Sequence, residues 1–173
     1  GGGLIGANLL ARFTPTLDYR RCRLELARRG GAVTFAPGAQ RIPFELWGER
    51  EITVYGSIGT GRRMAMALHT GLPGCGVGAP PEVFEEAGLK PGAFSQALRS
   101  AGSLTGGQAW AAVSVPTVTV GPLVQEKLNG CSGALGSADL WRHGVRRDAL
   151  LSSDFLRGQR VTIDWEKREL VIE

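Results

Sequence analysis

Lysine is nearly missing from this chain: of its 20 basic residues 17 are arginine and 3 are lysine. The arginines are scattered, with isolated pairs at Arg20-Arg21, Arg28-Arg29, Arg62-Arg63 and Arg146-Arg147 and no aromatic residues interleaved. A nucleic-acid interface needs cations gathered on one face with stacking platforms between them. The net charge of +4 therefore reads as a solvated surface, and no nucleic-acid partner is expected. Long apolar runs are also lacking; none approaches the roughly 18 residues of a membrane-spanning helix, so no membrane span is expected. Cysteine is limited to Cys22, Cys75 and Cys131, without a C-x-x-C pair or metal-ligand spacing. An odd number leaves at least one thiol free or bonded elsewhere. A Cys75–Cys131 disulfide is one pairing open to them, and the compartment stays undetermined. The two histidines, His69 and His143, stand beside no Gly-x-Ser-x-Gly and no paired ligands. That argues against a serine or cysteine nucleophile and against a metal centre, and no cofactor is expected. His143 reads as an exposed loop residue. The chain opens Gly1-Gly2-Gly3 with no basic-then-apolar leader, and is expected to be a piece of something longer.

What is present suits a packed β protein. The 173 residues, 43% of them apolar, match one domain with at most a fragment of a second. The 26 glycines and 9 prolines interrupt runs that alternate with period two. Ile52, Val54, Gly56 and Ile58 share one side of a strand; Met64, Met66 and Leu68 repeat the pattern after Gly59-Thr60-Gly61, predicting a hairpin. Further strands are expected near Trp110–Val115, Thr117–Val120, Val161–Trp165 and Leu170–Ile172. One helix is expected over Pro80–Gly88, with proline at its start, carboxylates in its first turns and glycine at its end.

The chain also contains a repeat. Leu4–Leu26 aligns without gaps under Leu150–Ile172, with identities at Leu4/Leu150, Leu10/Leu156, Thr16/Thr162, Asp18/Asp164 and Leu24/Leu170. Ile5/Leu151, Leu9/Phe155, Leu17/Ile163 and Tyr19/Trp165 are conservative pairs. Each copy is an apolar pair, a tiny residue, a helical turn and a hairpin turning at Asp-aromatic. A lone hairpin with one helical turn cannot supply its own core. Residues 1–26 are therefore expected to be the C-terminal helix-hairpin of a preceding lobe, 27–49 an inter-lobe linker, and 50–173 a second lobe.

These features together resemble a retropepsin-like aspartic protease in a tandem, two-lobe form. The resemblance lies in Leu4-Ile5-Gly6-Ala7-Asn8-Leu9-Leu10, in the glycine-containing hairpin Ile52–Leu68, and in His69-Thr70-Gly71 after it. It implies a mostly β closed barrel with short helices, and an endopeptidase whose two lobes each bring one Asp-Thr/Ser-Gly loop. Here the match departs from the family, because His69 stands at the position of the Asp. The chain's five aspartates are Asp18, Asp139, Asp148, Asp154 and Asp164, and none precedes Thr-Gly or Ser-Gly. By the resemblance, His69, Thr70 and Gly71 form the catalytic-position loop, the threonine bonding across to the partner loop and the glycine allowing the tight turn. Gly106 and Gly107, within Gly102–Gly107, are the expected tip of a flap. Trp110 is expected to line the substrate cleft, with a core position as the bland alternative. Leu150-Leu151-Ser152 lacks the family glycine, a sign of drift in this lobe. The expected partners are a preceding lobe, from the same precursor or a separate chain, or a second copy, together with an extended peptide. The function implied is an endopeptidase lobe that is inactive or depends on its partner; a pseudoprotease that holds peptide without cutting it is the alternative. The chain alone is expected to be poorly stable.

Overall fold

A computed structural model describes residues 5–48, 51–72, 74–92, 94–95, 110–141 and 144–173. In chain order the elements are α1 (Ala7–Leu10), β1 (Phe13–Asp18), β2 (Arg23–Arg28), β3 (Gln40–Pro43), β4 (Glu45–Trp47), β5 (Glu51–Ile58), β6 (Met64–Leu68) and β7 (Val77–Ala79). There follow α2 (Pro81–Glu86), β8 (Phe94–Ser95), β9 (Trp110–Val120), β10 (Leu123–Ser132), a 3-10 turn at Ser137–Trp141, β11 (Ala149–Leu151), β12 (Arg160–Asp164) and β13 (Glu169–Ile172). The chain divides into two compact units, residues 53–155 and residues 1–52 with 156–173.

Residues 53–155 form a closed barrel. The strands follow the order β5, β6, β11, β7, β10, β9, and β9 returns to β5 through Gly56↔Val120, Ser57↔Thr119 and Ile58↔Val118. The alternating residues of β5 and β6 put Val54, Ile58, Met64 and Met66 at 0–1% exposure, the burial that makes this pattern a strand rather than a helix. The β5–β6 hairpin turns at Gly59, whose φ of +55° suits a residue without Cβ. The strand expected to break at Pro116 is continuous from Trp110 to Val120. Pro116 is exposed and skipped in the pairing register, while Lys127 on β10 takes φ +55° beside it. A missing N–H is thus tolerated by a local irregularity. β10, which the alternation did not reveal, pairs along most of β9. The helix expected near Pro80–Gly88 forms over Pro81–Glu86, with Gly88 at φ +73° just beyond it.

The other unit is a five-stranded sheet ordered β2, β1, β12, β13, β3, antiparallel throughout. The hairpins of the two copies of the repeat fold alike. Asp18 Oδ1 accepts the backbone N–H groups of Arg20 and Arg21, and Asp164 Oδ1 those of Glu166 and Lys167, all at 3.0–3.1 Å. The fourth residue after each aspartate is left-handed, Cys22 at φ +51° and Arg168 at +55°. β1 meets β12 with Thr16 directly opposite Thr162, its own counterpart in the repeat, so the pairing is two-fold symmetric about that point. The two buried hydroxyls hydrogen-bond at 2.8 Å. The stretch 27–49, expected as a linker, holds β3 and β4, and β3 completes the sheet against β13.

Candidate functional site

β6 ends at Leu68, and His69 follows it out of the barrel. Its parallel neighbour is β11, with Ala149↔Met66, Leu150↔Ala67 and Leu151↔Leu68 in register. The pairing runs one residue past the strand: the His69 backbone N–H donates to the Leu151 carbonyl at 2.7 Å. Leu72 N–H then donates to His69 O at 3.3 Å, closing a turn whose members His69, Thr70 and Gly71 are all exposed. The local fold therefore presents these residues at the end of a buried parallel strand pair. Gly71 is not left-handed, and a Cβ there meets only His69 Cε1 at 3.8 Å. The expected need for glycine in a tight turn falls instead at Gly74, φ +81°.

The loop is held from behind. Leu72, Cys75, Cys131, Ala67, Leu150 and Trp110 share one core cluster. The Cys75–Cys131 disulfide, left open by the sequence, ties the loop to β10, with a Cα–Cα distance of 5.8 Å; Cys22 is a free, exposed thiol. Trp110 opens β9 at 8% exposure within that cluster, and its Nε1 finds no hydrogen-bond partner among the described residues. Ser152 has a task its mismatch with the family glycine did not suggest. It is wholly buried, its hydroxyl donates to Cys75 O, its N–H donates to Gly76 O at 3.2 Å, and its Oγ accepts from Asp154 N–H at 3.1 Å. Serine here joins the end of β11 to the histidine loop. Gly106, Gly107 and His143 lie outside the described residues.

The far end of the same strand pair is pinned by charge. Asp148, immediately before β11, is 2% exposed. Its Oδ1 accepts from Arg62 Nη2 at 2.7 Å and Arg146 Nε at 2.6 Å, and its Oδ2 from Ala65 N–H at 2.9 Å. Glu86 of α2 adds a second carboxylate, 3.0 Å from Arg62 Nε and 3.6 Å from Arg146 Nη2. Burial pushes the Asp148 carboxyl up, but the hydrogen bonds from Arg62, Ala65 and Arg146 and the charge of Arg62 outweigh it and hold the group below its usual range. Sequence reading missed this cluster because Arg62 and Asp148 are 86 residues apart; no local pattern marks it.

A six-stranded closed barrel whose apolar strand emerges into a histidine loop, backed by a parallel strand near the chain's end, decides the architecture. The fold is retropepsin-like. A retropepsin-like aspartic protease from Rickettsia conorii superposes on 82% of this chain and 96% of its own with a TM-score of 0.51, at 14% identity. At that identity the likeness establishes the fold alone. No family model matches the chain, and no curated protein does. Among the described residues no group of three or more His, Cys, Asp or Glu is placed to hold a metal ion, and no helix is long and apolar enough to cross a membrane.

Proposed function

We propose that this chain is the C-terminal lobe of a two-lobe retropepsin-like protein together with the closing helix-hairpin of the lobe before it, and that its own half of the active site is silent. The observation that carries this reading is the placement of His69-Thr70-Gly71, exposed at the end of β6 beside parallel β11, in a chain without Asp-Thr/Ser-Gly. In the proteases this fold resembles, two close carboxylates share a proton because both cannot ionise, and the pair activates water against a peptide carbonyl. An imidazole cannot take the second role. Opposite a carboxylate from another lobe it gains a proton and holds that carboxylate ionised. The pair then has no carboxylic acid left to protonate the peptide carbonyl. The matched hairpins, paired two-fold about Thr16 and Thr162, support the two-lobe part of the reading.

Restoring the acid tests it. In the protein with both lobes, His69→Asp is expected to raise cleavage of a denatured protein substrate by about 10²-fold or more, with an acidic optimum and inhibition by a pepstatin-type compound. Equal cleavage by the His69 protein and the variant overturns the silent-lobe reading.

A further inference from the structure

Two side chains from neighbouring strands reach the segment behind the histidine loop, and both take hold of Cys75. Cys131 on β10 bonds its sulfur, and Ser152, just past β11, donates its hydroxyl hydrogen to the Cys75 carbonyl oxygen. The glycines on either side allow this. Gly74, at φ +81°, makes the bend that leads into Cys75. A Cβ on Gly76 would lie 2.8 Å from Leu128 Cδ2 and 3.0 Å from Leu128 Cβ, so a side chain there would push the backbone off β10. Gly76 N–H donates to Asn129 O at 2.7 Å, and the parallel pairing of β7 with β10 begins one residue later at Val77↔Gly130. Before Cys75 the chain lies open: His69, Thr70, Gly71 and Gly74 are exposed, and Leu72 is buried. The two cysteines are 1% and 2% exposed but differ in setting. Cys131 is paired on both sides, opposite Ala112 of β9 and Gly78 of β7, whereas Cys75 follows exposed Gly74 outside any strand.

We propose that the Cys75–Cys131 bond is a redox lock on the histidine loop: intact, it fixes His69-Thr70-Gly71 at the end of β6, and opened by a dithiol it frees the loop while the barrel stands. The inference concerns the loop itself and does not depend on the two-lobe reading. A thiolate of the dithiol attacks Cys75 Sγ, the sulfur that a local opening of the exposed turn uncovers, and Cys131 leaves as a thiolate that takes up one proton. The second thiol of the reductant then attacks its own sulfur in the mixed disulfide. The reductant closes to a disulfide, and Cys75 leaves as a thiolate that takes up the second proton. Two electrons and two protons pass from the dithiol to the cysteine pair. The barrel keeps its closure without the bond, because β9 stays paired with β5 and, along most of its length, with β10. The loop loses its covalent tie and keeps the Ser152 hydroxyl and the backbone bonds from His69 N–H to Leu151 O and from Gly76 N–H to Asn129 O. Any group that faces His69 then meets an ordered loop in the oxidised chain and a loosened one in the reduced chain.

The reductant used as probe is dithiothreitol, added at millimolar concentration to the whole chain in native buffer. Alkylation reads the bond: the oxidised chain is expected to label at Cys22 alone, and the reduced chain at Cys22, Cys75 and Cys131. Hydrogen exchange reads the loop. On reduction the amides of Leu72, Gly76 and Ser152 are expected to exchange about tenfold faster or more, while those of Val54 and Met66, paired across β5 and β6, change by less than about twofold. Cys75→Ala with Cys131→Ala is expected to show the reduced pattern without reductant; should that variant fail to fold, the reduced parent still gives the reading. The Hε1 NMR signal of His69, identified by its loss in His69→Gln, is expected to shift on reduction. Loop amides or a His69 signal that ignore reduction overturn the proposal. Loss of protection at Val54 and Met66 together with the loop also overturns it, because the bond is then a staple of the whole barrel. So does a bond that dithiothreitol opens only in denaturant, since a lock must open in the folded chain. None of these results touches the two-lobe reading, which His69→Asp tests separately.

Discussion

Asp148 shows how much one side chain can hold in this lobe. Its carboxylate ties Arg62, Arg146 and the Ala65 N–H to the start of β6 and β11. Asp148→Asn leaves two partly exposed guanidinium groups that water can reach, so the cost is expected at about 2–3 kcal/mol in denaturant unfolding. The pH dependence has a definite sign. Because the folded carboxyl titrates below its ordinary value, its contribution is complete above that value and is lost as pH falls from there through the folded one. Acid unfolding curves are thus expected to be steeper below about pH 4 for the native chain than for Asp148→Asn. Equal slopes would show that the carboxylate is not coupled to folding. Nothing in the sequence singles this aspartate out, since Arg62 and Ala65 reach it from 86 and 83 residues away. His69 is the opposite case, readable from its neighbours Thr70 and Gly71 and from the strand before them.

At the scale of elements, the barrel closes where β5 crosses β9, and it closes on a glycine. A Cβ at Gly56 would lie 2.3 Å from the Thr119 carbonyl oxygen and 2.8 Å from Val120 Cγ2. Gly56→Ala is therefore expected to destabilise by about 2–3 kcal/mol, because the clash is with backbone that cannot turn aside. Thermal unfolding checks it, and an unchanged midpoint would mean that the β5–β9 pairing does not close the barrel as described. The hairpin β5–β6, the helix α2 and both copies of the Asp-aromatic turn were legible, because period-two burial, a proline-started helix and an Asx turn are local signals. β10 and the β3 strand were not. β10 alternates weakly, with exposed Val124, Glu126 and Lys127, and β3 is a strand only because β13 offers it an edge.

For the molecule as a whole, the two copies of the repeat share a hairpin turn and have different surroundings. Ile5 and Leu9 are 51% and 44% exposed, while their counterparts Leu151 and Phe155 are 1% and 2% exposed. Truncation measures that asymmetry. Leu9→Ala is expected to cost less than about 1 kcal/mol in this chain, whereas Phe155→Ala is expected to cost about 3–5 kcal/mol. Joined to a preceding lobe, Leu9→Ala is expected to become as damaging as a core truncation. A large cost for Leu9→Ala in the chain alone would show that the face is already covered, against the two-lobe reading.

The amino-acid order alone was enough for the strand alternation, the duplicated helix-hairpin and the histidine at the end of β6, because each depends on residues a few positions apart. Folding in three dimensions decided the rest. It chose the Cys75–Cys131 bond, gave Ser152 and Asp148 their partners, put Trp110 in the core, and set Thr16 against Thr162. Those outcomes join residues dozens of positions apart, and such distances close only when the barrel and the sheet have formed.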